Sequence, residues 1–137
     1  MKAAITLLIL GLLVGCGNGG TPPAIQSAPA KAPDENATLA AISKINEAQS
    51  AFFKLNRRYA LTFDELVDGR LLDAEPATSQ TGYEFKLRPA ADAQTYQLSV
   101  SPLVASPAAR HFFTDQAGII HADAGKDANA GSPALAK

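Results

Sequence analysis

The chain has 137 residues and a formal net charge of -1, and apolar residues make up 47% of it. This length suits one modest domain, and the near-neutral charge gives no electrostatic basis for binding nucleic acid, whose partners carry basic patches. The single cysteine excludes an intramolecular disulfide, so the thiol must have another role.

The N-terminal segment is organised like an export signal. Lys2 precedes an apolar run over residues 3–14, which is shorter than the roughly 20 residues that a transmembrane helix needs. The run ends in Leu13-Val14-Gly15-Cys16, which resembles the lipobox of bacterial lipoproteins. The resemblance implies a signal peptide over residues 1–15, cleavage between Gly15 and Cys16, and a covalent lipid on Cys16 that anchors the chain to a membrane. The alternative is a short transmembrane anchor with an incidental cysteine, which the length and the flanks favour less.

Two segments have the composition of unstructured chain. Residues 16–33 and 124–137 are rich in Gly, Pro, Ser and Ala, and such segments bury too little apolar surface to offset their ordering entropy. We therefore expect a flexible tether over residues 16–33, a globular domain over residues 34–123 and a disordered tail over residues 124–137.

The first half of the domain has a helical pattern. Apolar side chains recur at steps of three and four residues from Leu39 to Tyr59, and Pro33 and Asp34 make a good helix start with Glu35 in the first turn. This predicts a long helix from Asp34 to about Arg58 with one apolar face, of the kind that lies across a sheet. A short second helix should follow at residues 63–67, because Thr62 and Glu65 have the spacing of a capping box.

The second half has the alternation of antiparallel strands with one solvated face. Strands are predicted over residues 82–88, 95–101, 111–114 and 119–121, and Asp115-Gln116-Ala117-Gly118 suits a tight turn between the last two. The predicted fold class is α+β, with one long N-terminal helix packed on a small antiparallel meander of three or four strands and a short second helix.

Three stretches carry a family resemblance: I-N-E-A-Q-S-A-F-F at residues 45–53, T-G-Y-E-F at 81–85 and R-H-F-F-T-D-Q-A-G-I-I at 110–120. In this order they resemble the globular part of type IV pilins and pseudopilins, in particular the small pilin-like proteins common in Acidobacteria. The resemblance covers residues 39–121 and implies a pilin-like globular domain. The prepilin leader and the long apolar assembly helix of pilins are replaced here by the lipobox and the tether, so a role as a filament subunit does not follow from the fold.

Several polar residues are candidates for a site. His111 and His121 fall on neighbouring predicted strands and could bind a metal ion with Asp115 or Asp123, but zinc sites need three or four ligands. Asp115 could also belong to a calcium loop, although the segment lacks the repeated acidic residues of such loops. We therefore expect surface histidines, an ordinary turn at Asp115 and no metal.

The remaining charged clusters have structural interpretations. Capping and helix termination account for the carboxylates of Asp64, Glu65 and Asp68. The basic cluster at the end of the long helix (Lys54, Arg57 and Arg58) complements the helix dipole, and contact with anionic lipid headgroups is the alternative. No catalytic motif is present, so we do not expect an enzyme.

The favoured function is that of a membrane-tethered envelope lipoprotein that displays a pilin-like protein-interaction domain, linked to a type IV pilus or a type II secretion system. Gly17, the residue after the lipidated cysteine, favours the outer membrane by resemblance to the enterobacterial sorting rule, with the domain facing the periplasm or the surface. The expected partners are the membrane, through the lipid on Cys16, and envelope, pilus or secretion-system proteins, with no nucleic acid and no other cofactor. Two alternatives stay open, namely a periplasmic module that binds a small ligand or metal ion, and a structural lipoprotein without a discrete ligand.

Overall fold

The computed structural model describes residues 32–76 and 81–135. Within them lie two helices, α1 (Glu35–Asn56) and α2 (Phe63–Asp68), followed by four strands: β1 (Tyr83–Pro89), β2 (Tyr96–Pro102), β3 (Arg110–Asp115) and β4 (His121–Ala124). The strands form one sheet in the order β1-β2-β3-β4, and each neighbouring pair is antiparallel. The predicted α+β class and the antiparallel meander are therefore confirmed.

Helix α1 has clear signals at both ends. The Asp34 carboxylate accepts a hydrogen bond from the backbone N–H of Ala37 at 3.0 Å, which satisfies one of the free donors of the first turn. At the other end Arg57 adopts a left-handed conformation with φ of 59°, and its N–H donates to the Phe53 carbonyl at 2.8 Å. The helix ends there because a left-handed residue turns the chain away from the helix axis.

The main core lies between α1 and one face of the sheet. Ile42 and Ile45 of α1 are almost fully buried against this face. The sheet supplies the inward-pointing residues of its alternating strands: Tyr83, Tyr96, Leu98, Val100, Phe112 and Ala122. Asn46 extends the contact with polar bonds, since its amide donates to Thr114 Oγ1 at 3.1 Å and its carbonyl accepts from the Tyr96 hydroxyl at 3.0 Å. Helix α1 therefore lies across the sheet as the amphipathic pattern requires.

A smaller core joins the second half of α1 to α2. It consists of Ala48, Phe52, Ala60 and Leu66. Helix α2 begins as its sequence predicts, because Thr62 Oγ1 accepts from the Glu65 N–H at 3.3 Å. The Glu65 carboxylate, however, accepts from the N–H of Leu61 at 2.8 Å, one residue before the position expected for a capping box.

The turn between β3 and β4 is tight. The Gly118 N–H donates to the Asp115 carbonyl at 2.9 Å, and Gly118 has a φ of 71°, a conformation that favours glycine. Ile119 and Ile120 still precede the ladder, which begins with His121 opposite Phe113. The prediction of a fourth strand at residues 119–121 is therefore two residues too early. Ile119 and Ile120 have the apolar side chains typical of a strand, but they precede the ladder.

The C-terminal segment (residues 125–135) is ordered against the sheet, contrary to the predicted disorder from residue 124. Its end runs along the free edge of β4, where the Ala122 N–H donates to the Pro133 carbonyl at 2.9 Å and the Leu135 N–H donates to the Ile120 carbonyl at 2.8 Å. Main-chain bonds of this kind need no apolar side chains, and the small-residue composition therefore did not indicate them. The domain extends to at least Leu135.

The chain enters the domain beside the start of the sheet. The Asp34 N–H donates to the Thr81 carbonyl at 2.8 Å, just before β1. Glu35, in the first turn of α1, forms an ion pair with Arg110 at the start of β3. Neither helix combines the length and the apolar composition that crossing a membrane requires, among the residues that the structure describes.

Candidate functional site

The predicted lipidation and cleavage residues, Cys16 and Gly15, lie outside the described residues. Among the described residues, the first candidate site is the pair of histidines. His111 is in β3 opposite Asp123 of β4, and His121 is opposite Phe113. Because strand residues alternate, the two imidazoles share the sheet face that points away from α1. We call this the outer face, defined by His111, Phe113, His121 and Asp123.

The C-terminal segment lies on the outer face and engages both histidines. His121 Nδ1 is 2.7 Å from the Ser132 carbonyl oxygen, so this nitrogen carries the proton and donates. His111 Nδ1 is 3.0 Å from Asp127 Oδ1, and the carboxylate can only accept. The Ser132 hydroxyl also donates to Asp123 Oδ2 at 3.1 Å. These contacts attach the segment to the sheet.

The candidate metal ligands are not brought together. Asp115 ends β3, and its carboxylate accepts from the Ala117 N–H at 2.9 Å within the turn. It therefore has the turn role expected from the sequence. Across residues 32–76 and 81–135, no three His, Cys, Asp or Glu side chains lie close enough to hold a metal ion.

Ser101, His111 and Asp127 also meet on the outer face, but not in a catalytic arrangement. Ser101 Oγ is 3.3 Å from His111 Nδ1, the same nitrogen that contacts Asp127. A Ser-His-Asp triad needs the serine and the carboxylate on opposite ring nitrogens. This cluster therefore has the geometry of a structural contact. Sequence reasoning missed Asp127 and Ser132 because they lie in the segment predicted to be disordered.

The carboxylates of α2 and the basic cluster are partly joined. The Arg58 guanidinium forms two bonds to Glu65, with Nη1 to Oε2 at 2.9 Å and Nη2 to Oε1 at 3.0 Å. The hydrogen bond from Arg58 lowers the pKa of the Glu65 carboxyl, and the backbone bond from Leu61 lowers it further. Glu65 is thus held ionised as a cap and an ion-pair partner, whereas Lys54 and Arg57 are exposed.

A groove with a volume of about 1090 Å³ lies beside α1. One wall is a stripe of α1 residues: Leu39, Glu47, Ser50, Ala51 and Lys54. The other wall comprises residues 117–120 of the β3–β4 turn together with Leu135 of the C-terminal segment. We call it the α1–turn groove. Its width follows from the small side chains on both walls, and Ile119 at its rim is 48% exposed.

The groove has an apolar wall at the turn and a largely polar wall on α1, which carries unpaired charge. The side chains of Glu47 and Lys54 are exposed and form no hydrogen bond or ion pair within the part of the chain that the structure describes. At the other end of the groove, the charge of Arg110 is matched by Glu35. The groove therefore has two exposed charges of opposite sign on one helix face.

Comparison of the chain with protein-family models, with curated proteins and with solved structures finds no match.

Proposed function

We propose that this protein is a non-enzymatic lipoprotein of the bacterial cell envelope that displays one pilin-like domain for binding protein partners. The proposal rests on the order of the segments along the chain. A lipobox ending in Cys16 is followed by a Pro- and Gly-rich tether, and the folded domain begins at once with the N-cap Asp34. Such an order places a small domain at a membrane surface.

The architecture supports the pilin-like part of the proposal. A helix of 22 residues packed on a four-stranded antiparallel meander has the order of elements that the pilin resemblance implies. The three stretches that carry the resemblance fall on α1, on the start of β1 and on the β3–β4 hairpin. On the basis of the pilin resemblance, components of a type IV pilus or a type II secretion system are the proposed partners.

The anchor is tested by removing the acceptor thiol. The full chain is produced in a bacterium that processes lipoproteins, in the presence of an alkyne-tagged palmitate, and the cells are fractionated. We expect wild type and the matched control Asn18→Ser to carry the tag and to sediment with membranes. Cys16→Ser should lose the tag, because the acceptor thiol is gone. Labelling of Cys16→Ser equal to that of wild type would refute lipidation at Cys16.

The partner role is tested separately. The full chain with a C-terminal tag is expressed from its own promoter, cross-linked in cells and purified from solubilised envelopes. We expect pilus or secretion-system components to be recovered with wild type and to be reduced with Cys16→Ser, which lacks the lipid. Recovery of none of these components, together with normal piliation and secretion after gene deletion, would refute this role.

A further inference from the structure

The α1–turn groove is an open surface whose apolar side chains lie mainly on the wall formed by the turn and Leu135. Ile119 is 48% exposed at its rim, and Leu39 is only partly buried on its helix wall. A groove with a charged helix on one wall can receive a second helix that carries complementary charges.

The charges on the α1 wall indicate which helix the groove receives. Glu47, Ser50, Ala51 and Lys54 are spaced so that they lie on one face of α1. Glu47 precedes Ser50 by three residues, and Lys54 follows Ala51 by three. The face is therefore complementary to itself when the helix is reversed about the midpoint between Ser50 and Ala51.

We propose that the chain forms a two-fold symmetric dimer in which the α1 helices of two copies pack antiparallel, each in the α1–turn groove of the other. Glu47 of each copy then lies opposite the partner's Lys54, so the contact is made twice, as an isologous interface requires. A parallel arrangement would instead place like charges opposite each other, which is unfavourable. The charge pattern thus selects the antiparallel dimer.

The small side chains on either side of this midpoint allow the two helices to approach each other closely. Packed helices have their axes about 8–10 Å apart, and the shorter separations need small side chains at the crossing, which Ser50 and Ala51 provide. The net charge of -1 causes little repulsion between copies. This dimer would cover the exposed Ile119, and it does not depend on lipid attachment or on the partners proposed above.

The experiment uses charge reversal in the full chain carrying Cys16→Ser, which prevents a disulfide between copies. Sedimentation equilibrium gives the dimer dissociation constant. Glu47→Lys and Lys54→Glu each place like charges opposite one another, so each should raise the dissociation constant by about tenfold or more. The double variant restores opposite charges and should return to within about threefold of the parent. An equimolar mixture of the two single variants should form a heterodimer more readily than either forms a homodimer.

Lys44→Glu is the matched control, because Lys44 is an exposed lysine of α1 that does not line the groove. It should leave the dissociation constant unchanged. Circular dichroism checks that each variant is folded. A parent chain that stays monomeric up to about 200 µM would overturn the proposal. It would also be overturned by a dimer that Glu47→Lys and Lys54→Glu do not weaken, or by a double variant that fails to recover, since the groove would then be free or would hold another segment.

Discussion

The side chain of Gln49 satisfies both main-chain groups of Ala60. Gln49 Oε1 accepts from the Ala60 N–H at 2.9 Å, and Gln49 Nε2 donates to the Ala60 carbonyl at 3.3 Å. Both residues are completely buried. The pair ties the middle of α1 to the loop that leads into α2, where no secondary structure provides partners for Ala60.

Replacing Gln49 should therefore be costly although the position lies in an apolar stripe. Gln49→Leu removes both bonds and leaves two buried main-chain groups without partners, so we expect a loss of about 3 kcal/mol in the free energy of unfolding. Urea denaturation of the full chain measures it. The exposed substitution Lys44→Ala, on the same helix but outside the α1–turn groove, should change this free energy by no more than about 0.5 kcal/mol. A similar small effect of Gln49→Leu would contradict the buried bonds.

Two core tyrosines should respond differently to loss of the hydroxyl. The Tyr83 hydroxyl is buried and has no hydrogen-bond partner among the described residues, whereas the Tyr96 hydroxyl donates to Asn46 at 3.0 Å. Tyr83→Phe removes an unsatisfied polar group, so the free energy of unfolding should stay unchanged or increase. Tyr96→Phe leaves the Asn46 carbonyl unpaired and should cost about 1–2 kcal/mol. Thermal and urea unfolding of the two variants compare them directly, and equal losses would argue against this assignment.

The Glu35–Arg110 pair should make stability depend on pH in the acid range. The hydrogen bond from Arg110 lowers the pKa of Glu35 below its usual 4.5, and partial burial opposes this. A carboxyl whose pKa is lower in the folded state stabilises the fold above the unfolded pKa, and this contribution disappears as the pH falls through the folded pKa. The side chains are 31% and 39% exposed, which limits the contribution to about 1 kcal/mol.

Glu35→Gln should therefore be less stable than wild type by this amount near neutral pH, and the difference should disappear as the pH falls through the lowered pKa of Glu35. Urea denaturation at a series of pH values measures it. Arg110→Gln should remove the same part of the pH dependence, because it removes the cause of the lowered pKa of Glu35. Parallel pH profiles for wild type and Glu35→Gln would count against the ion pair.

The edge contact of the C-terminal segment can be tested by truncation. A chain that ends at Ser132 loses the Pro133 carbonyl that accepts from Ala122 and the Leu135 N–H that bonds to Ile120. We expect the Ala122 amide to exchange its hydrogen at least about tenfold faster, because its bond at the sheet edge is gone. A chain that ends at Leu135 keeps both bonds and serves as the control. Equal exchange rates for Ala122 in the two chains would show that the segment does not protect β4.

The regular elements could be predicted because their signals are local. Asp34 and Thr62 as caps, the apolar stripe through Ile42 and Ile45, and the strand alternation from Tyr83 onward are each visible within a few residues. Gln49 lies on the same face of the helix as this stripe. Its nearby sequence does not indicate that its hydrogen-bond partner is Ala60, which follows 11 residues later. This pairing depends on the path that the chain takes back towards α1 after the helix ends. The periodicity of the helix does not specify that path.

The largest difference lies at the C-terminus. Small and polar residues from 125 onward predicted disorder because they bury little apolar area, yet the segment is fixed by main-chain bonds to β4 and by His111, His121 and Asp123. Composition does not reveal an available sheet edge. The candidate site was similarly affected, since the weak metal-ligand candidates His111, His121 and Asp115 are held by Asp127, by Ser132 and by the turn, respectively.

The way the chain enters the domain has a mechanical consequence. Asp34 is bonded to Thr81 and Glu35 to Arg110, so the first turn of α1 is fastened to the chain just before β1 and to the start of β3. A pulling force that arrives from residue 32 meets these contacts before it reaches the core. Load is then shared between the helix and two positions on the sheet, and the terminal turn cannot peel away alone. The domain is built to resist tension at the end where a surface tether would pull.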